Sequence, residues 1–478
     1  MSAPEPTPVP PSPESDDQPV SVGRAIVDAL RGVAHDYTTL PLKRAVLFLA
    51  VPMVMEMIME SLFALADVFW VSRLGREAIA VVGLTESVMS LIYAVAIGIC
   101  FAAGAIVSRR IGEKDTARAA QAAGQIILLG VGLSALLGVI MGLNAGRLLA
   151  FMGATPEVVE LGRPFATVMY GGNATVFLIF LINAIFRGAG DPALAMRTLI
   201  LANGLNLILD PCFIFGWGPF PELGLTGAAV ATNLGRGIGI VYQVWHLTRG
   251  QGRITLHWSD LRPRAEAATI LRTSGNGIAQ LLISTTSWVG LFKILAVFGS
   301  AALAGYTIAI RLIMFALMPA WGLSNAGATL VGQNLGARQP DRAERAVRIA
   351  TRYNVIFLSL VGVVFIALSP IIIGAFTTDP AVFAEGVRSL WIVSLAFPLY
   401  AAGMCLEGTF NGAGDTWTPT RLNFFTMWLG QVPLAWLLSS PLGLGPTGVY
   451  IAVPIAFSAL TIWSWFLFRA GHWKAHVV

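Results

Sequence analysis

Twelve runs of apolar residues, each about 20 residues or longer, recur along this chain and restrict its possible folds more than any other feature. A helix rises 1.5 Å per residue, so about 20 apolar residues cross a hydrocarbon core roughly 30 Å thick. The runs occupy residues 46–72, 78–107, 119–145, 157–186, 194–216, 225–248, 269–297, 301–334, 348–376, 386–410, 420–440 and 447–468. They predict twelve membrane-spanning segments.

The composition agrees with a membrane-embedded chain. Of its 478 residues, 56% are hydrophobic and only 12% are charged, whereas soluble domains carry about 25% charged residues. Backbone polar groups find no water inside a bilayer, so spanning segments are helices or the strands of closed barrels. Runs this long and this apolar are helices. The sequence therefore predicts an all-α integral membrane protein with twelve transmembrane helices.

Basic residues predict the orientation, because cytoplasmic loops carry an excess of lysine and arginine. With both termini inside, only six of the 31 lysines and arginines fall in outer loops, namely Arg73, Arg76, Arg147, Arg163, Lys293 and Arg388. Arg236 and Arg311 lie within helices, and the other 23 lie on the inner side. We expect a multi-pass protein of the cytoplasmic (inner) membrane with both termini cytoplasmic. The net charge of +5 then reflects insertion, and no nucleic-acid partner is expected.

The ends of the chain differ from its apolar middle. Residues 1–43 begin MSAPEPTPVPPSPESDDQP, which has no signal-peptide core and is typical of disorder. The following VSVGRAIVDALRGVAHDY fits either an amphipathic helix on the inner leaflet or a plain linker. We divide the remainder into an N-lobe (44–248, helices 1–6), a cytoplasmic linker (249–268), a C-lobe (269–469, helices 7–12) and a cytoplasmic tail (470–478).

An internal repeat supports this division. The segment from Gly75 to Gly112 resembles that from Gly299 to Gly336, an offset of 224 residues. FRGAGD at 186–191 matches FNGAGD at 410–415 at the same offset, and LTGAAVA near 225 resembles PTGVYIA near 446 at an offset of 221. Three ordered pairs at nearly one spacing indicate two homologous six-helix bundles. Six helices per half give both halves the same orientation, so their pseudo-twofold axis runs along the membrane normal.

Two parallel bundles around a central cleft are suited to alternating access, in which one bundle rocks against the other. A transporter is therefore the favoured class. A membrane enzyme is disfavoured, because no metal-ligand or nucleophile constellation converges, and the histidines lie at helix ends, in loops or in tails: His35, His246, His257, His472 and His476. We expect no enzymatic activity and no cofactor.

Several segments resemble the multidrug and toxic compound extrusion (MATE) family: LADVFWVSRLGREAIAVVGL, FRGAGDPALAMRTLILANGLNLILDPCFIFGWG, LGLTGAAVATNLGRG and FNGAGDTWTPTRLNF. The resemblance covers about residues 44–468 and keeps the order of the motifs. It implies efflux of organic, often cationic, drugs or toxins in exchange for protons or sodium, through a V-shaped cleft between two six-helix lobes.

The resemblance also implies a cation-coupling site in the N-lobe. The first-helix aspartate of the family matches Asp67, and its Asn-x-x-x-Asp pair matches Asn206 and Asp210, with Asn183 and Thr232 as further polar partners. These oxygens could ligate sodium or bind a proton.

In the NorM-like branch the C-lobe has its own acids, and those two places hold Ser284 and Tyr400 here. This departure favours proton coupling of the DinF-like kind, with sodium as the alternative.

The spacing of the membrane acids supports a functional interpretation. Ionised side chains at mid-bilayer are expensive, so they face a cavity, pair with another group or carry a proton. Asn206 and Asp210 are four residues apart and share a helix face, as do Glu56, Glu60 and Asp67. This stripe could be a proton path or a rail for cationic cargo, or Glu56 and Glu60 could bond neighbouring helices.

Other candidates are less specific. Glu407 could line the cleft or form a structural pair at its inner mouth. Aromatic residues that could bind planar cations are Phe63, Phe69, Trp70, Trp288 and Trp321. The repeat brings Glu86 and Arg311 to adjacent pseudo-equivalent positions on helices 2 and 8, where they could close an outer gate. Each could instead meet a partner within its own lobe.

The cargo remains open between two classes. A small organic cation is favoured, because acids outnumber the membrane arginines. The alternative is a lipid-linked or polyanionic cargo, which would need several cations. We expect the protein to act as a monomer in the lipid bilayer.

Overall fold

The structure, a computed structural model, describes residues 22–33, 35–250, 252–262 and 267–476. Within these ranges the chain is helical and has no strand. The predicted disorder at the start of the chain falls outside them up to residue 21. The side on which both described ends lie, predicted to be cytoplasmic, is called the inner side below.

The first half of the chain forms nine α-helices. They are α1 (Val22–Arg31), α2 (Leu42–Val71), α3 (Arg76–Gly112), α4 (Thr116–Leu143), α5 (Ala145–Phe151), α6 (Pro156–Gly171), α7 (Ala174–Ala189), α8 (Pro192–Phe215) and α9 (Leu225–Arg249). Helices α6 and α7 together form the predicted fourth span, interrupted at Gly172 and Asn173.

The second half repeats this order. It contains α10 (Ala267–Ala296), α11 (Ser300–Gly336), α12 (Pro340–Gly374), α13 (Pro380–Ser394), α14 (Phe397–Ala413), α15 (Trp417–Asn423), α16 (Val432–Ser439) and α17 (Pro446–Ala470). A π-helix, Phe424–Gln431, joins α15 to α16 into one composite span. Helices α3 and α11 each have 37 residues and begin and end 224 residues apart, so the predicted duplication is confirmed.

The predicted spans all appear as helices in the described part of the chain. Nine helices there are long and apolar enough to cross a membrane, and a tenth span results if the bent pair α13–α14 counts as one. The other two predicted spans correspond to α9 and to the composite helix from Trp417 to Ser439. The angle of 55° between α13 and α14 comes at a break around Leu395 and Ala396.

The two lobes meet through paired, pseudo-symmetric contacts in their inner halves. A Cβ atom on Gly98 of α3 would lie 2.4 Å from the nitrogen of Ile278 on α10. The equivalent contact, 224 residues on for one partner and back for the other, would place a Cβ on Gly322 2.8 Å from the nitrogen of Val54. Only glycine permits such close approach of two helix backbones.

The same exchange occurs nearer the inner surface. A Cβ on Gly112 would lie 2.0 Å from the carbonyl oxygen of Gln333, and one on Gly336 would lie 2.2 Å from that of Arg109. Residues 109 and 333, like 112 and 336, are equivalent in the repeat. The inner ends of α3 and α11 are therefore in direct backbone contact, and the cleft is closed on this side.

Ser108 and Gly332 are themselves equivalent and contact each other. A Cβ on Gly332 would lie 1.8 Å from the hydroxyl oxygen of Ser108. A residue that touches its own counterpart lies on or next to the symmetry axis. The pseudo-twofold axis thus passes between these two residues.

The outer halves of the lobes are apart. Glu86 of α3 and Arg311 of α11 are both exposed and form no ion pair with a described residue. They do interact electrostatically at longer range. With the inner halves closed and the outer halves separated, the lobes have an outward-facing arrangement.

A short N-terminal segment, residues 35–41, crosses the inner side between the lobes. Lys114 in the α3–α4 turn contacts Asp36 at 2.6 Å, and Arg342 of α12 donates to the carbonyl oxygens of Tyr37 and Leu40. Partial burial raises the pKa of Asp36, but hydrogen bonds from Lys114 and Thr38 lower it more, to about 2. The segment therefore ties the C-lobe helix α12 to the N-lobe turn.

Candidate functional site

Asp210, on the otherwise apolar helix α8, belongs to a buried polar cluster in the N-lobe. Asn206 lies one turn earlier and donates from Nδ2 to Asp210 Oδ1 at 3.0 Å and to Thr232 Oγ1 of α9 at 3.2 Å. Asp210 is fully buried, and Asn206 and Thr232 are nearly so. The structure thus brings together three of the predicted coupling residues.

Two oxygens of this cluster have no hydrogen-bond partner among the described residues. They are Asn206 Oδ1 and Asp210 Oδ2, and both are buried. Buried polar atoms are nearly always paired, so such orphans need a further partner. A carboxylate and an amide oxygen suit either a proton on the carboxylate or a small hard cation such as sodium.

Asp67 of α2 lies near this cluster and completes it electrostatically. Its carboxylate is partly buried, interacts electrostatically with Asp210 and Arg236, and makes no hydrogen bond or ion pair with any described residue. Two nearby carboxylates repel each other when both are ionised, which favours sharing of a cation or proton between them.

The next acid toward the inner side, Glu60, is ion-paired. Its Oε1 lies 3.1 Å from Nη2 of Arg236, which is 3% exposed and also donates to the Tyr93 hydroxyl at 3.4 Å. The guanidinium also stacks over the rings of Phe63 and Phe180.

The innermost acid of the stripe, Glu56, is fully buried and paired as well. It accepts from Arg187 Nη1 at 2.5 Å and from Asn183 Nδ2 at 3.1 Å, and Asn183 in turn accepts from Gln243 at 2.7 Å. Asn183 therefore lies in the Glu56 cluster and makes no hydrogen bond to Asp210. Its predicted role as a coupling residue stays a prediction.

A cavity of about 500 Å³ lies between the lobes, within the size range of sites for drug-sized molecules. Its charged lining residues are Glu60, Arg187 and Glu407. The predicted aromatic residues Trp288 and Trp321 also line it, and sequence reasoning missed Tyr93, Phe180 and Phe457 there. By contrast, Phe69 and Trp70 contact Arg73 near the outer end of α2, away from the cavity.

Glu407 faces this cavity from the C-lobe helix α14. Its Oε1 accepts from Asn423 Nδ2 at 2.5 Å, and Asn423 Oδ1 accepts from the Ser284 hydroxyl at 3.1 Å. The two notebook alternatives, as a lining residue and as a member of a polar pair, therefore both describe Glu407. Ser284 and Tyr400 also line the cavity.

Sequence reasoning missed the role of Arg187. It was counted with the inner-loop cations that set orientation, but its guanidinium turns into the membrane and reaches Glu56. The available signal was its spacing from Asn183, because residues four apart share a helix face. Gln243 and Asn423 were missed too, since neither belongs to a charged pattern.

Two pseudo-symmetric helical lobes, buried carboxylates at membrane depth and a central cavity closed on one side define a secondary transporter of the alternating-access class. The family model MatE matches residues 52–212 and 277–437, one stretch in each lobe. The chain belongs to the MatE family, whose members are transporters and not enzymes.

Named relatives agree with this assignment. The probable multidrug resistance protein NorM of Thermotoga maritima is 25% identical over 443 residues, covering 91% of this chain and 94% of its own. The FAD transporter of Shewanella oneidensis is 26% identical, with coverages of 88% and 93%. The multidrug export protein MepA of Staphylococcus aureus is 23% identical, with coverages of 87% and 91%.

Solved structures share the architecture. A multidrug resistance MATE family transporter of the MOP superfamily in its outward-facing conformation aligns with a TM-score of 0.85 at 27% identity, covering 92% of this chain and 98% of that one. A MOP superfamily transporter from Pyrococcus furiosus, described by a binding pocket of reverse polarity, aligns with the same score and identity over 94% and 99%.

Proposed function

We propose that this chain is a cation-coupled antiporter that exports small organic cations by alternating access. The observation that carries the proposal is the buried Asp210–Asn206–Thr232 cluster, with Asp67 beside it, on helices that are otherwise apolar. Buried carboxylates of this kind mark ion pathways in membrane proteins. Their surroundings change when the lobes rock, so the affinity for a bound cation changes with them.

The coupling ion is the proton in this proposal, and sodium is the alternative. The unpartnered oxygens of Asn206 and Asp210 support binding of either ion. Ser284 and Tyr400 stand where the NorM-like branch has C-lobe acids, which supports a single coupling site in the N-lobe. The protein acts as a monomer in the cytoplasmic membrane, with both termini cytoplasmic.

A small amphiphilic cation is the cargo that the cavity supports best. Aromatic rings bind planar cations, and several line this cavity. Relatives named as multidrug resistance or export proteins support a drug-like molecule.

An anionic cargo is the second candidate. It is favoured by Arg187 and Arg236, two arginines at membrane depth, and by a relative named as an FAD transporter. However, both arginines already form ion pairs, with Glu56 and Glu60. A paired arginine attracts an anion less than a free one does, so the cation remains the preferred cargo.

Reconstitution into proteoliposomes tests the proposal. A pH gradient alone and a sodium gradient alone are imposed on separate samples, and movement of ethidium, a cation, is compared with that of FAD, an anion. We expect ethidium transport driven by the pH gradient only. Transport that requires sodium would reassign the ion, movement of FAD alone would reassign the cargo, and no gradient-driven movement of either would contradict the antiporter proposal.

A further inference from the structure

The two lobes differ in a way that makes one carboxylate of the cavity special. At an offset of 224, Glu56 corresponds to Gln280 and Asn183 corresponds to Glu407. The repeat has thus exchanged an acid and an amide between two facing helices. The N-lobe has its acid on the first helix of the bundle, and the C-lobe has it on the fourth.

The arginines that neutralise the N-lobe acids have no charged counterparts in the C-lobe. Arg187 corresponds to Asn411 at the same offset. Arg236 corresponds to Phe457 at the offset of 221 that relates α9 to α17. The C-lobe therefore keeps an acid at this level but has lost both cations.

The hydrogen-bond pattern shows the consequence. Glu56 and Glu60 each contact a guanidinium, at 2.5 and 3.1 Å. Glu407 is bonded to the side-chain amide of Asn423, and that is its one polar contact among the described residues. An amide does not compensate a carboxylate's charge, so Glu407 is the uncompensated acid of the cavity. Buried or half-buried charges in membranes require a partner.

Aromatic rings surround the cavity side of Glu407. Tyr400 and Phe457 have ring centroids 4.1 Å apart, and Trp288 lies 6.3 Å from Phe457. All three line the same cavity as Glu407. A carboxylate next to aromatic faces is the combination that binds an organic cation, because both the charge and the ring quadrupole attract it.

From this geometry we infer that Glu407, Trp288, Tyr400 and Phe457 form a subsite for the charged centre of a monocationic, aromatic cargo. The inference rests on the proposed function and deepens it. The cargo's charge binds in the C-lobe, whereas the coupling ion binds in the N-lobe at Asp67 and Asp210. Cargo and coupling ion therefore do not compete for one carboxylate, and they are coupled only through the rocking of the lobes.

Equilibrium binding to the purified full-length chain in detergent, with no ion gradient, tests this subsite. The probes are tetraphenylphosphonium, a cation, and triphenylphosphine oxide, a neutral compound of related shape. We expect Glu407→Gln to weaken tetraphenylphosphonium binding at least tenfold and to leave binding of the neutral probe within twofold. The glutamine oxygen can still accept from Asn423, so the variant should fold, and Glu407→Asp, which keeps the charge, should retain more of the affinity.

Asp67→Asn is the matched control, since it removes an acid from the opposite lobe. It should bind tetraphenylphosphonium within twofold of the wild type. Unchanged binding by Glu407→Gln would overturn the subsite, as would equal weakening by Asp67→Asn or no binding by the wild type. If the wild type and Glu407→Gln bind and export this cation equally well under a gradient, the subsite fails while the antiporter proposal stands.

Discussion

Asp67 differs from the two glutamates below it on α2 because it contacts no arginine. An ion pair at membrane depth holds both charges in place, since removing one partner strands the other. Glu56 and Glu60 are therefore poorly suited to titrate during a transport cycle. Asp67 and Asp210 have no guanidinium contact and remain free to exchange a cation. The acidic stripe thus divides into two paired residues and one exchangeable residue.

We expect Asp67→Asn and Asp210→Asn each to abolish coupled export while the protein remains inserted and folded. The amide keeps the volume of the carboxylate but cannot take up and release a proton. The measurement is drug resistance of whole cells at matched expression. Asp379→Asn, which alters an exposed carboxylate that caps α13, is the control and should behave as the wild type. Normal resistance in both cavity-side variants would contradict the proposed coupling site.

The polar contacts of single residues were only partly predictable from the sequence. The Asn206–Asp210 bond follows from a spacing of four residues on a helix, which fixes the geometry locally. The Glu56–Arg187 pair joins residues 131 positions apart. Arginine reaches several ångströms from its backbone and can turn into the membrane or out of it. Its direction depends on how α2 packs against α7, which no local pattern encodes.

At the level of helices, the apolar runs predicted every span in the described chain, because hydropathy over about 20 residues is set by the bilayer itself. Interruptions were not predicted. The bend between α13 and α14 and the π-helix at Phe424–Gln431 arise from packing between helices. Such π-helical turns occur frequently at functional sites, and this one directly follows Asn423, the partner of Glu407.

Helices α3 and α11 offer a test of the predicted outer gate. Glu86 and Arg311 are not paired in the outward-facing arrangement, so a pair between them would form only when the outer halves close. We expect Glu86→Gln and Arg311→Gln each to reduce transport by disfavouring the inward-facing state. Unpairing a buried charge costs about 3–5 kcal/mol, and removing both charges costs less, so the double variant should partly recover.

A double-mutant cycle on transport rate measures this coupling. Simple additivity would show that each residue acts within its own lobe. A charge-swapped variant, Glu86→Arg with Arg311→Glu, no more active than either single change would also rule out the gate.

For the whole molecule, the glycine contacts at the inner side determine which state the lobes prefer. We expect Gly112→Ala to shift the protein toward the inward-facing state, because the new Cβ would lie 2.0 Å from a backbone oxygen of Gln333. The backbone cannot yield as a flexible side chain would, so the inner halves must separate. Gly104→Ala on the same helix is the control, since nothing lies within 4 Å of its Cβ.

Spin labels at positions 118 and 345, both exposed on the inner side, report the separation, with the native cysteines replaced. We expect a longer distance for Gly112→Ala and an unchanged one for Gly104→Ala. A wild-type distance in Gly112→Ala, or an equal shift in the control, would show that these contacts do not set the state.

The contacts around Ser108 and Gly332 also bear on the origin of the chain. In each pair, residue i of one lobe touches residue j of the other while their counterparts touch in the reverse sense, which is the pattern of two identical subunits related by a twofold axis. A six-helix ancestor that dimerised in parallel would have had this interface before its gene was doubled. As long as the copies were identical, every mutation struck both halves at once. Fusion removed that restriction, and only then could one half keep its arginines while the other exchanged them for Asn411 and Phe457.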